Sequence, residues 1–222
     1  MPTENVKKLN LYAKRLRQTH CETLMGIGVV IVEGDSDKWW LHGVSRILNG
    51  EIYNDKLQEA FELLGIAIVS AETEGDIIKL GEFFDEAGIK VIGVFDCPND
   101  PSGLAEKLKN CSFPSICLKE KGLENILAYQ LPINILREYL IESPHSKSAP
   151  IYPNKVNNLS DPEVREESRN RLIQNKGSAA MHEWLISKLD PATLPVQFKS
   201  IVDMVSCYIK GELELNSCSL LN

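Results

Sequence analysis

Short apolar segments alternate with longer amphipathic ones through the first half of the chain, and this alternation constrains the fold more than any other feature. Four segments are predicted to be strands, and the first of them is β-branched and apolar on both faces, as buried parallel strands are. They lie at 29–32, 66–70, 90–95 and 114–118. Helical spacing of apolar residues follows or separates them, at 35–48, 57–64 and 76–87. Strands that alternate with helices predict right-handed crossovers and a mainly parallel sheet flanked by helices, an α/β fold.

The second half of the chain has a different pattern, because strand signals fade after Glu124. Helices are predicted there at 133–142, 163–175, 178–189 and 196–209. The polar, proline-containing stretch 143–162 is predicted to be a linker. We therefore expect an amphipathic helix within residues 1–25, an α/β domain at 26–130 and a helical extension at 131–222.

Composition and charge exclude several classes of protein. With 43% hydrophobic residues the chain is expected to be globular, and its apolar runs are far shorter than the roughly 20 residues that span a bilayer. The 6 cysteines form no C-x-x-C pair, so we expect reduced thiols and a cytoplasmic protein. A net charge of −7 argues against a protein that coats nucleic acid, but not against a metal-dependent nuclease.

Acidic residues follow two of the predicted strands. Glu33 leaves the first strand, Asp37 lies in the first turn of the next helix, and Asp96 leaves the third strand. Ligands bind beyond the carboxyl ends of strands in open parallel sheets, so these three side chains are candidate site residues. Carboxylates gathered in this way repel one another unless a cation joins them, and Mg²⁺ or Mn²⁺ suits oxygen ligands.

Several short motifs add to these acids. They are Glu-Gly-Asp-Ser-Asp at 33–37, Val-Phe-Asp at 94–96, Gly75, Gly-Leu-Glu-Asn at 122–125, and Lys176 ahead of Ala179 and Ala180. Together they resemble the Toprim domain shared by topoisomerases, primases and overcoming-lysogenization-defect (OLD) nucleases, and the OLD resemblance is the closer one. The resemblance implies a Toprim-like, Rossmann-like sheet with a helical C-terminal extension.

The resemblance also implies roles for individual residues. Glu33 and Asp37 would bind one metal ion, while Asp96 and Glu124 would belong to a second acidic group. Lys176 would stabilise negative charge that develops on the phosphate, a role that suits a compact cation. The expected activity is that of a metal-dependent endonuclease that cleaves or nicks DNA with Mg²⁺ or Mn²⁺.

The chain departs from the family at one position. Toprim domains carry D-x-D after the third strand, whereas this chain has Asp96-Cys97-Pro98-Asn99-Asp100. Asp100 is the candidate substitute for the second acid. The departure leaves open a degenerate Toprim module that binds a partner or nucleic acid without cutting. A Toprim ribonuclease is a further alternative, and a receiver-type phospho-switch ranks last because Glu33-Gly34 stands where its acid pair belongs.

Partners follow from the resemblance as well. Family members join this domain to an ATPase, but no G-x-x-x-x-G-K-[ST] phosphate loop occurs in the sequence, so an ATPase would be a separate polypeptide or lie outside it. We also expect a homodimer and a role in defence against phage. The histidines lack metal-binding spacing and are expected in the core or in solvent, with His182, near Lys176, the candidate to line the site.

Overall fold

The centre of the molecule is a parallel five-stranded sheet with the order β2-β1-β3-β4-β5. The structure, a computed structural model, describes residues 26–49, 61, 63–96, 103, 106, 108, 111–142, 150–215 and 219–220. The strands are β1 (Gly28–Val32), β2 (Ile66–Ser70), β3 (Lys90–Phe95), β4 (Ser115–Cys117) and β5 (Ser219–Leu220). The first four confirm the predicted strands and the α/β class.

Helices cover both faces of this sheet, and the described ones are numbered in chain order. They are α1 (Asp35–Asn49), α2 (Glu74–Glu86), α3 (Leu123–Gln130), α4 (Ile133–Glu142), α5 (Pro153–Asn157), α6 (Asp161–Gln174), α7 (Ala179–Ser187) and α8 (Val196–Lys210). None of the described helices is long and apolar enough to cross a membrane.

The central strand β1 explains how the core divides. All its residues are buried, and alternate side chains point to opposite faces. Val30 and Val32 pack in one apolar cluster with α1, whereas Val29 and Ile31 pack in a second cluster with α2. A strand covered on both sides must be apolar at every position, which is why the β1 sequence shows no polar alternation.

The C-terminal helices lie on the α1 face of the sheet. Leu127 of α3, Tyr139 of α4, Leu185 of α7 and Phe198 of α8 all belong to the cluster that includes Trp40 of α1. Helix α1 is therefore enclosed between the sheet and the C-terminal helices, with α7 and α8 packed directly against it. This arrangement brings the turn before α7 to the N-terminal end of α1.

Parts of the sequence-based prediction were wrong. The expected linker at 143–162 contains the short helix α5 and the start of α6, and only residues 143–149 of it lie outside the described part. Proline in the first turn of α5 and the capping box of Ser160 with Glu163 start these helices, and both signals are local. The helix predicted at 57–64 is not seen in the described part of that range, because Phe61 and residues 63–65 form turns.

Strand β5 was not predicted, because a segment of two paired residues gives no hydrophobic period. The expected N-terminal amphipathic helix lies outside the described residues.

Candidate functional site

The site lies at the topological switch point of the sheet. The chain runs from β1 to β2 on one side and returns to β3 on the other, so a crevice opens at the carboxyl ends of β1 and β3. Glu33 directly follows β1 and Asp96 directly follows β3, and both are partly buried. The backbone carbonyl of Glu33 accepts a hydrogen bond from the amide of Glu72 at 2.9 Å, which fixes the end of β1 against the end of β2.

Asp37 is held in the first turn of α1 by the glycine before it. The Gly34 amide donates to Oδ2 of Asp37 at 3.2 Å. A Cβ at Gly34 would lie 3.1 Å from that same oxygen, so the close approach favours glycine. The Asp37 side chain is buried, and its Oδ1 has no hydrogen-bond partner among the described residues.

Burial and neighbouring carboxylates raise the pKa values of Asp37 and Asp96. Burial, and next the negative charge of Asp96, raise the pKa of Asp37 to about 7. Burial, and next the charge of Glu33, raise the pKa of Asp96 to about 6. Glu124 adds to both shifts. The structure thus brings Glu33, Asp37, Asp96 and Glu124 within electrostatic range in a partly desolvated crevice, where their ionised forms repel one another.

Glu124 reaches the crevice from the first turn of α3. Gly122, the residue before α3, has a left-handed φ of 82° that glycine adopts without strain. A Cβ at that glycine would lie 3.0 Å from Oε2 of Glu124. Oε1 of Glu124 is buried without a hydrogen bond from the described residues, although Nζ of Lys176 lies 3.5 Å away as an ion-pair partner. That separation is too long for a strong hydrogen bond.

Lys176 supplies positive charge to this acidic crevice. It lies in the turn 175–177 between α6 and α7. Burial alone would lower the pKa of Lys176, but Glu124, Asp37 and Asp96 outweigh it and raise that pKa above its ordinary value. The lysine therefore stays protonated at any physiological pH.

Three further residues lie behind Lys176, and of these the sequence-based prediction had named only His182 as a candidate to line the site. Ser36 donates its hydroxyl to the backbone carbonyl of Lys176 at 2.7 Å. His182 is buried, and its Nε2 lies 3.0 Å from the same carbonyl. Trp40 is buried in the core, and its indole Nε1 donates to Nδ1 of His182 at 3.0 Å. Only the proximity of His182 to Lys176 in sequence pointed to this group.

The donors of the crevice fit a divalent cation chemically. Asp37 and Glu124 each have a buried carboxylate oxygen that accepts no hydrogen bond from the described residues, and hard cations bind such oxygens. Among the described residues, however, no group of three or more acidic, histidine or cysteine side chains has the spacing of a metal site. The expected ligand Asp100, together with Cys97 and Pro98, lies outside the described residues.

Fold and site together define a Rossmann-like α/β domain with an acidic cluster at its switch point. Residues 26–97 match the family model described as overcoming lysogenization defect protein-like, TOPRIM domain. The resemblance seen in the sequence is thereby confirmed over residues 26–97, which match an OLD-like Toprim domain.

Solved structures support the fold over most of the chain. The C-terminal region of the OLD protein of Xanthomonas campestris pv. campestris is 16% identical, with a TM-score of 0.60, covering 86% of this chain and 97% of that one. The C-terminal region of the Burkholderia pseudomallei OLD protein is 17% identical, with a TM-score of 0.57, covering 84% and 98%. At these identities the likeness is one of fold. The search of curated proteins gave no match.

Proposed function

We propose that this protein is a cytoplasmic, metal-dependent endonuclease of the OLD Toprim type that cleaves or nicks DNA with Mg²⁺ or Mn²⁺. The observation that carries the proposal is the meeting of Glu33, Asp37, Asp96 and Glu124 around a protonated lysine at the switch point. Metal-free, such a cluster is destabilised by its own charge, and Oδ1 of Asp37 and Oε1 of Glu124 are buried without a hydrogen bond from the described residues.

The residues of the crevice have two proposed roles, metal binding and neutralisation of negative charge. Glu33, Asp37, Asp96 and Glu124 would hold the ion, and Asp100 is retained as a further proposed ligand. When bound, a divalent ion supplies Lewis-acid activation of a phosphodiester. Lys176 holds an ammonium beside the same crevice, where it would neutralise a phosphoryl oxygen as negative charge grows on it. Exclusion of water by the buried wall of the crevice strengthens both effects.

Partners are proposed on the same basis. We infer that the protein acts with an ATPase, as a homodimer, and in defence against phage. The OLD-like Toprim match and the lack of a phosphate loop in this sequence support the first of these.

The test is cleavage of supercoiled plasmid and of labelled RNA in Mg²⁺, Mn²⁺ or EDTA. We expect metal-dependent nicking of the plasmid that falls about 10²–10³-fold or more in Glu33→Gln, Asp96→Asn and Lys176→Met. Asp35→Asn is the matched control, because Asp35 lies in the same helix turn as Asp37 but is exposed and accepts a hydrogen bond from Ser70. Equal cleavage by all variants would reject the proposal, and cleavage of RNA alone would reassign the substrate.

The competing proposal is a Toprim module that binds without cutting. Two observations favour it: Pro98 stands where the family has its second acid, and the described residues contain no three-ligand group. Measured binding of Mn²⁺ separates the two proposals, since a module that neither cuts nor binds Mn²⁺ is the degenerate form.

A further inference from the structure

The position of the Lys176 ammonium depends on its backbone. Its side chain is 56% exposed, and its one recorded ion pair among the described residues, with Glu124, is 3.5 Å long. A half-exposed pair of this length holds a flexible side chain weakly. Lys176 lies in a turn, where no helical hydrogen bonds fix the backbone. Contacts made to the turn must therefore fix the position of its Cα, from which the side chain extends.

Two side chains hold the turn by the same atom. The carbonyl oxygen of Lys176 accepts the Ser36 hydroxyl at 2.7 Å and lies 3.0 Å from Nε2 of His182. Ser36 belongs to α1 and His182 to α7, so this one carbonyl joins the helix that carries Asp37 to the helix that follows the lysine.

The partner of the other imidazole nitrogen fixes which nitrogen carries the proton. Nε1 of Trp40 lies 3.0 Å from Nδ1 of His182. An indole N–H can only donate, so Nδ1 must accept, and the single proton of a neutral imidazole is then on Nε2. That proton is donated to the Lys176 carbonyl. Protonation of Nδ1 would set two N–H groups against each other inside the core, where His182 is 1% exposed.

Trp40 is itself rigidly placed. It is fully buried, and its ring stacks on Phe198 at 5.8 Å. Trp40 lies one helical turn after Ser36 and Asp37 on α1. The same helix therefore carries an acid of the crevice, one direct anchor of the Lys176 carbonyl, and the donor that orients the second anchor.

We propose that His182 is a positioning residue which, in the Nε2–H form imposed by Trp40, holds the Lys176 turn so that the ammonium faces the carboxylates during phosphodiester cleavage. The inference rests on the proposed nuclease function. Among the described residues no hydrogen bond joins His182 to the acids; it acts through the backbone of Lys176. Its loss should lower kcat while KM and the affinity for Mn²⁺ stay unchanged, because only the placement of the lysine is altered.

The test compares His182→Leu, His182→Gln and Trp40→Phe. A glutamine amide can still donate from near the Nε2 position, whereas leucine cannot donate at all. We expect kcat to fall about 10²-fold in His182→Leu and by a smaller factor in His182→Gln. Trp184→Phe is the matched control, since Trp184 is also on α7 but its ring contacts Tyr139 and Lys188.

Two measurements need no activity. Nitrogen-15 NMR of His182 should show Nε2 protonated and Nδ1 unprotonated in the wild type. Hydrogen exchange of the Ser178 amide, which donates to the Asn175 carbonyl and closes the turn, should quicken by about tenfold in His182→Leu and Trp40→Phe but not in Trp184→Phe.

The outcomes separate this proposal from the proposed function. A wild type that cuts nothing, with the expected tautomer and exchange, rejects the nuclease and with it the catalytic role of His182, while the hold on the turn stands. An Nδ1–H tautomer overturns the proposal whatever the activity. So does a folded His182→Leu protein with wild-type kcat, or an equal loss in His182→Leu and His182→Gln, which would indicate packing alone.

Discussion

The buried, ionised side chain of Asp37 lowers the stability of the metal-free protein, because burial and the charge of Asp96 both disfavour its ionised form. Its pKa is raised to about 7 by burial first and Asp96 second. Between the ordinary carboxyl pKa of 3.8 and about 7, the folded protein therefore binds a proton that the unfolded chain has lost. Protonation of Asp37 favours the folded state below that window, and this contribution is lost as the pH rises through about 7. Above it the metal-free protein holds a buried charge beside other acids.

The first prediction follows from this loss of stability with rising pH. Asp37→Asn should raise the free energy of unfolding of the metal-free protein at pH 8 by about 1–3 kcal/mol, because asparagine removes the buried charge and still accepts from Gly34. At pH 5 the gain should shrink. Urea unfolding in EDTA at both pH values is the measurement, with the exposed Asp35→Asn as control. A destabilised Asp37→Asn protein at pH 8 would contradict this account.

Glu72 gives a second prediction at this scale. It follows β2 by two positions and has a left-handed φ of 69°, the one positive φ recorded for a non-glycine residue in the described part. A side chain in this conformation costs about 1–2 kcal/mol. Glu72→Gly should therefore be more stable than Glu72→Ala by about 1 kcal/mol, although glycine is ordinarily the less stable of the two.

Comparison of the two Glu72 variants cancels the loss of the side chain, which both share. Their urea midpoints decide the matter. If the alanine protein proves the more stable, the backbone at Glu72 is not strained.

Residue-level prediction from sequence succeeded where position along a strand decides location. Glu33 and Asp96 were placed in one crevice because each directly follows an apolar strand. Sequence-based prediction did not find the hydrogen bond from Trp40 to His182, because these two residues are 142 positions apart. The hydrogen bond from Ser36 to the Lys176 carbonyl was missed for the same reason, because it spans 140 positions. Such contacts depend on how helices pack, which no local pattern encodes.

At the scale of elements, the contact of α1 with α7 sets the distance between the two halves of the site. Gly43 of α1 is the point of closest approach to Ile186, where a Cβ would lie 2.7 Å from the isoleucine side chain. Close helix packing of this kind leaves no room for an added methyl group.

The third prediction is that Gly43→Ala destabilises the protein by about 1–3 kcal/mol and lowers the cleavage rate, because α7 is forced away from α1. The double variant Gly43→Ala with Ile186→Val should recover part of the loss in both assays. Gly75→Ala is the control, since that glycine is also helical and a Cβ there would meet nothing within 4 Å. Equal loss from both glycines would contradict the packing account, because alanine in place of a helical glycine should stabilise the helix where its Cβ meets nothing.

Prediction of elements depended on the length and purity of the pattern. The strands β1 and β3 were located almost to the residue because buried strands leave continuous runs such as Gly-Val-Val-Ile-Val. Helix α5 was missed because it has 5 residues, and β5 because it has 2. Both are specified by capping or by pairing with β4, and neither leaves a periodic signal.

At the scale of the whole molecule, the site is assembled from both halves of the chain. The switch-point carboxylates come from the strand-and-helix half, whereas Lys176 and His182 come from the helices that pack over α1. The net charge of −7 does not oppose a phosphodiester substrate if the crevice itself is neutralised by a cation. We propose that these acids bind a divalent ion.

The measurement that tests this claim most directly is calorimetric titration of the protein with Mn²⁺ at pH 6.5, in two buffers with different ionisation enthalpies. Asp37 with a pKa of about 7 and Asp96 with a pKa of about 6 share about one proton at this pH, and an ion must displace it. We predict release of about one proton per bound ion, falling towards zero at pH 8.5 as the affinity rises. Binding should be lost in Asp37→Asn and kept in Asp35→Asn. No Mn²⁺ binding, or binding without proton release that survives in Asp37→Asn, would contradict the account.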